Sequence, residues 1–274
     1  MWRPDIIDLS QFYSGPLGHV VRRQLTRDVR RFWPDVSGQR VLGIGYATPF
    51  IRPFLPEAER LAAAMPANQG IQHWPREGPN RVFLSDELEM PLPDQSFDRI
   101  LLVHALETSE QARPLLREIW RVLAPEGRLL IVVPNRRGLW ARADQTPFGH
   151  GHPYSNGQLL RLLKSTMYQP VRSGTGLHLP PVAWRPLLRL HEAFERMGPR
   201  FWPRFAGVVV VEAAKQIYAA PTQPQVRRRR LIRSAPALSP ATRDLEPGSI
   251  PCPNRRQSAH PAPSPKTPVK KPAR

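Results

Sequence analysis

The sequence is short of several things, and each shortage excludes a class of protein. Cys252 is its single cysteine in 274 residues, which excludes an intramolecular disulfide framework and any cysteine-rich zinc site. Long hydrophobic runs are missing. Stretches such as Val208–Val211 fall far below the roughly 18 apolar residues of a membrane span. The opening Met1-Trp2-Arg3-Pro4-Asp5 lacks the apolar core of a signal peptide, so a soluble cytoplasmic protein is expected. Acid is scarce as well, with 22 Asp/Glu against 40 Lys/Arg and a net charge of +18.

Much of that charge lies at one end. Residues 221–274 hold 12 Lys/Arg, 2 Asp/Glu, 12 of the 34 prolines and no aromatic residue. Such a segment has too little apolar surface to offset the entropy of ordering it, so a disordered basic tail is expected. Its run Arg227–Arg230, with Arg233, suits non-specific contact with RNA or an anionic membrane surface. Lacking aromatics to stack on bases, it does not suit specific single-strand recognition. Residues 1–220 keep 28 Lys/Arg against 20 Asp/Glu and read as one domain, with 1–36 as an N-terminal helical cap.

Within that body, Leu17, Val21, Leu25, Val29 and Phe32 recur at helical steps until Pro34 and Gly38 intervene. Short apolar runs then follow one another: Arg40–Gly45, Arg60–Met65, Arg81–Leu84, Arg99–His104 and Arg128–Val133. Runs apolar on both faces suit buried parallel strands covered by helices, such as the amphipathic Gln111–Leu123. Further on, the pattern predicts a helix over Asn156–Ser165, an irregular strand over Val171–Leu179, a helix over Trp184–Met197 and a last strand over Ala206–Ala213. The expected fold is α/β: a doubly wound, mostly parallel seven-stranded sheet with an antiparallel edge strand.

Ligands of such sheets bind beyond the carboxyl ends of the strands, which directs attention to the first turn, Gly43-Ile44-Gly45-Tyr46-Ala47-Thr48-Pro49. Its glycines either cradle a ligand or make a tight strand-to-helix turn. A nicotinamide-dinucleotide reading fails on the missing third glycine and the missing acid about 20 residues on. His150 and His152 sit two apart in a polar loop, with no third ligand to complete a metal site. With Tyr154 they are candidates for a base or a substrate contact. Phe12 and Tyr13, ahead of the first helix, read either as an aromatic lid or as packing. His104 and His191 lie on apolar stretches.

The stretch Asp86–Asp98, D-E-L-E-M-P-L-P-D-Q-S-F-D, resembles the class I S-adenosylmethionine-dependent methyltransferases, whose typical segment reads D-A-x-x-L-P-F-x-D-x-S-F-D. Leu101–Leu106 is similar to the family's fourth strand and the turn after it. Glu118–Leu129 resembles E-x-x-R-V-L-K-P-G-G-x-L, and Tyr154-Ser155 before Gln158-Leu159 resembles the substrate-side segment. The resemblance covers about residues 35–215. It implies S-adenosylmethionine as cofactor, with Gly43, Gly45, Tyr46 and Ala47 around its methionine end. It further implies Asp86, with Glu87 beside it, on the adenine amino group and His104 by the methyl group; where the family places an acid for the ribose hydroxyls, this chain has Met65-Pro66-Ala67-Asn68-Gln69, with Gln69 or Asn68 as a weaker neutral substitute.

The first motif departs from the family pattern: Gly43 stands for an acid, Ala47 for the middle glycine and Pro49 for the last. The expected function is methyl transfer to an unidentified acceptor, more readily a small molecule than a polymer. The alternative is a non-catalytic relative acting as a binding or regulatory partner, its pocket partly filled by side chains such as Tyr46 and Met65.

Overall fold

The computed structural model describes residues 4–202 and 205–217. The basic tail, with Arg227–Arg230, Arg233 and Cys252, lies outside the described residues. Among the described residues there are seven strands: β1 Arg40–Gly45, β2 Arg60–Pro66, β3 Val82–Ser85, β4 Phe97–Val103, β5 Leu123–Pro134, β6 Tyr168–Gly176 and β7 Val208–Lys215. They form one sheet in the order β3-β2-β1-β4-β5-β7-β6. The first five run parallel, and β7 is antiparallel to both β5 and β6. The antiparallel strand is thus second from the edge, with β6 outermost. The strand order reverses between β1 and β4, so their carboxyl ends, Gly45 and Val103, mark the place where a crevice forms.

Both faces of the central strands β1, β4, β5 and β7 are buried, whereas the outer strand β6 is largely exposed. Val41 and Leu101 join the layer that also holds Leu9, Val21, Leu25 and Phe50. Leu42, Ile44, Ile100 and Leu102 join Leu116, Ile119 and Leu159 on the other side. The first layer belongs to α1 (Ile6–Ser14), α2 (Pro16–Phe32) and the single turn α3 (Thr48–Ile51); the second belongs to α4 (Ala112–Val122) and α5 (Asn156–Ser165). The expected helix over 184–197 is two, α6 (Arg185–Arg189) and α7 (His191–Phe201).

The amino-terminal segment differs most from its sequence reading. Phe12 and Tyr13 do not precede the first helix; they are inside α1. Asp5 caps that helix, accepting from the amides of Ile7 (2.9 Å) and Asp8 (2.8 Å), while the Asp8 carboxylate reaches back to the Asp5 amide. This is a capping box in which Asp replaces the usual Glu. Gly15, extended at φ −79° and ψ 166°, breaks the chain before Pro16 opens α2.

Charged residues of the Asp86–Asp98 stretch have structural duties. Asp98 takes a two-pronged grip from Arg40 (3.0 and 2.9 Å) and a bond from its amide (2.9 Å), tying the start of β4 to the start of β1. Glu118 accepts from the Met90 amide at 2.8 Å, and Arg121 donates to the Leu92 carbonyl at 2.8 Å, so α4 holds the loop before β4.

One buried acid gives a pH prediction. Burial, opposed by the Gln24 amide and reinforced by Glu195, pushes the Asp28 carboxyl up to about 6, with Arg31 and His178 pulling it down. Between its unfolded value near 3.8 and about 6, the folded state keeps a proton that the unfolded state has lost. Stability therefore falls as pH rises through that window, and the full penalty of about 3 kcal/mol is present above it. Asp28→Asn is expected to remove this dependence and to gain about 2–3 kcal/mol at pH 7.5 in urea melts. Parallel pH profiles for variant and wild type would contradict it.

Candidate functional site

Two groups of residues meet at the carboxyl ends of the strands. The first is a buried cluster over β1 and β4. His104 follows β4 in the left-handed region, φ +53°, a cost that a non-glycine residue bears only where the surroundings enforce it. Here they do. Its Nε2 lies 2.8 Å from the Tyr13 hydroxyl and its Nδ1 lies 3.1 Å from Glu107 Oε1. Its carbonyl accepts from the Gln69 side-chain amide at 3.1 Å. Burial above all, then Tyr46 and Glu107, holds the Tyr13 hydroxyl well above the usual phenol range, so it keeps its proton. With Tyr13 donating its hydroxyl proton to Nε2, the imidazole presents Nδ1–H to Glu107.

Aromatic rings close this cluster off. Tyr13 stacks on Tyr46 at 5.3 Å between ring centres, and Phe148 lies 4.8 Å from the His104 ring. His104 and Glu107 are each 1% exposed. Glu107 Oε2 and Gln69 Oε1 are buried with no partner among the described residues. Unmet acceptors of this kind mark a place where a donor is wanted.

The glycines of the first turn are used by the protein itself. A Cβ on Gly45, at φ +76°, would stand 2.3 Å from the Val103 carbonyl oxygen. One on Gly43 would stand 2.8 Å from Ala47 Cβ and 2.9 Å from Ile51 Cδ1. No acid fits at position 43 while Ala47 and α3 stay where they are, so the two departures there go together. Tyr46, Ala47 and Met65 are all buried.

The second group is open. A cavity of about 210 Å³ lies over the ends of β2 and β3, lined by Asn68, Asp86, Glu87, Glu110 and Gln111 among others. Asp86 turns one oxygen to the Leu88 amide, 2.8 Å, and Glu87 has a buried oxygen, Oε1, without a partner.

The other candidates are dispersed. His150 points Nε2 at the Asp144 carbonyl, 2.8 Å, and lines a separate hollow of about 410 Å³ between α1 and the 144–150 loop. His152 is exposed, and its amide donates to the Glu107 carbonyl at 2.7 Å. Tyr154 is half-buried, its phenol held above its ordinary range by burial and then by Glu107. Sequence reasoning missed Tyr13 and Glu107 as partners of His104. The i, i+3 pair His104-Ala105-Leu106-Glu107 at a strand end was the available signal for one of them; nothing short of the α1 cap pointed to the other.

Residues 46–131 match the family model described as a methyltransferase domain. Over that segment the chain is similar to methyltransferase domains. The model's span takes in Tyr46, Ala47, Gln69, Asp86, Glu87, His104 and Glu107. Over 186 residues the chain is 28% identical to a malonyl-[acyl-carrier protein] O-methyltransferase of Halorhodospira halophila, covering 62% of this chain and 63% of that protein. It thus spans less than two thirds of that relative's length. A SAM-dependent methyltransferase of Archaeoglobus fulgidus superposes with a TM-score of 0.52 at 20% identity, covering 71% of this chain and 94% of its own. A Haloferax volcanii chain, from a complex of the Trm112 methyltransferase activator with its methyltransferase, gives 0.58 at 15% identity, covering 78% and 100%. These likenesses establish the methyltransferase fold. Among the described residues, no helix is long and apolar enough to cross a membrane.

Proposed function

We propose that this methyltransferase domain binds S-adenosylmethionine across the carboxyl ends of β1 to β4 and methylates an oxygen or nitrogen of a small molecule. The observation that carries this reading is His104, buried at the switch point with Glu107 on one ring nitrogen and a hydroxyl on the other. That is the arrangement of an oriented general base.

The residues fit the cofactor unevenly. At the adenosine end, Asp86 and the unpartnered Glu87 oxygen offer acceptors beside an open cavity. At the methionine end, Tyr13, Tyr46 and Gln69 occupy the crevice, so α1 must lift for the whole group to enter. Bound there, the sulfonium supplies an already activated methyl group. The chain's own work is then to orient, to keep water out and to take a proton. Once the Tyr13 hydroxyl leaves His104 Nε2, that nitrogen is free to take the proton of an acceptor hydroxyl or amine. Glu107 keeps the ring oriented and balances the charge that forms. Phe12, Phe148 and Trp140 form the apolar wall around it. Tyr154, kept neutral by its burial, remains a donor for the acceptor, with His150 and His152 further out.

A second reading, a non-catalytic relative, is favoured by the burial of Tyr46 and Met65, which that reading requires. Calorimetric titration of S-adenosylmethionine into the full chain separates the two. Saturable binding, weakened at least about tenfold in Asp86→Ala, supports the enzyme. No binding to the wild type supports the non-catalytic relative.

A further inference from the structure

Beyond the end of β5, four arginines line one hollow. Arg136, Arg137, Arg142 and Arg161, with Phe205, line a cavity of about 540 Å³, and among the described residues no acid shares its lining. Several other arginines of the fold are paired with acids: Arg27 with Glu192, Arg30 with Glu57, Arg40 with Asp98, Arg121 with Glu118. Among the described residues, none of the four here has a side-chain hydrogen bond or ion pair. Like charges gathered in this way repel one another, and their positions worsen it. Ser155, the cap of α5, is on the same wall, and a Cβ on Gly157 would lie 3.6 Å from Arg161 Nη1. A guanidinium thus lies beside the first turn of a ten-residue helix, the end that already carries partial positive charge. A bound anion would reverse every one of these repulsions.

We propose that this hollow binds the phosphate or diphosphate group of a small molecule. Guanidinium forks match phosphate oxygens two at a time, and the Gln158 side-chain amide on the same wall adds a further donor. The volume lies within the range of small-molecule sites and exceeds what a phosphate alone needs. The Phe205 ring, 56% exposed, offers a flat apolar wall for the remainder of the ligand. The site does not depend on methyl transfer, although Tyr154 links the two regions: its amide donates to the Pro134 carbonyl and its carbonyl accepts from Arg136.

The test uses the full chain at fixed salt, with inorganic pyrophosphate as probe in calorimetry. Arg136→Ser and Arg161→Ser are each expected to weaken binding by about tenfold or more. Serine at Arg227–Arg230 should leave it within about twofold. Both cavity variants should titrate S-adenosylmethionine as the wild type does, which keeps this proposal separate from the previous one. Unchanged melting temperatures establish that the exposed substitutions leave the fold intact. Absence of pyrophosphate binding at millimolar concentration would overturn the proposal. So would loss of binding in the tail variant alone, or binding of an RNA oligonucleotide that pyrophosphate does not compete away.

Discussion

Gly45→Ala is expected to destabilise the protein by about 3–5 kcal/mol, the sum of left-handed backbone strain and overpacking. The reason lies in the switch point itself. Gly45 ends β1 at φ +76°, and a methyl group there would stand 2.3 Å from the Val103 carbonyl oxygen and 2.9 Å from Ala105 Cβ. That carbonyl also accepts from the Tyr46 amide at 2.9 Å, so it cannot turn aside without breaking the link that carries the chain from β1 over β4. Gly38 supplies the control. Its φ is +68°, but nothing lies within 4 Å of its Cβ position, so Gly38→Ala isolates the backbone cost of about 1 kcal/mol. Chemical denaturation of the two variants measures the difference. Equal losses would mean that β1 and β4 part readily and that the crevice between them is soft.

Tyr13→Ala carries the second large effect, in two readouts of opposite sign. The side chain is 2% exposed, stacked on Tyr46 and packed edge-on to Phe50, so truncation should cost about 3–5 kcal/mol of stability. The same truncation empties the space over His104. If α1 must lift for the cofactor to enter, the wild type gives up part of its binding energy to open the site. The variant, already open, should bind S-adenosylhomocysteine at least about tenfold more tightly. Weaker binding would make Tyr13 a ligand contact rather than a plug. Tyr13→Phe keeps the ring and removes only the hydroxyl, so it guards against a variant too unstable to titrate; it should lose about 1–3 kcal/mol through the unpaired His104 Nε2.

The sheet was legible because its strands obey a simple rule. Runs such as Arg40–Gly45 and Arg99–His104 are apolar at consecutive positions, which only a doubly covered strand requires. The helices α4 and α5 were legible from spacing, capping and stop residues. The amino-terminal segment was harder, since α1 is short and its cap is an Asp-x-x-Asp box rather than the familiar Ser-x-x-Glu. With Phe12 and Tyr13 assigned outside any helix, the direction in which Tyr13 points could not be inferred. The same limit applies to the site. Asp86 and Glu87 were found as a motif and do line one cavity. The bond from Tyr13 to His104 joins residues 91 apart in sequence, and no local spacing encodes it. The arginine hollow was missed for a similar reason: Arg136, Arg137, Arg142 and Arg161 come from a loop and a helix that meet only in the folded chain, while the eye is drawn to the denser run Arg227–Arg230.

Hydrogen–deuterium exchange of the full chain, with and without S-adenosylhomocysteine, reads out whether a cofactor crevice lies at the ends of β1 to β4 and is closed by α1. Slower exchange is expected at residues 46–50, 67–69, 86–88 and 104–107, with faster exchange in α1 as Tyr13 gives way. An exchange map unchanged by saturating ligand, in a protein whose melting temperature the ligand does not move, would contradict it.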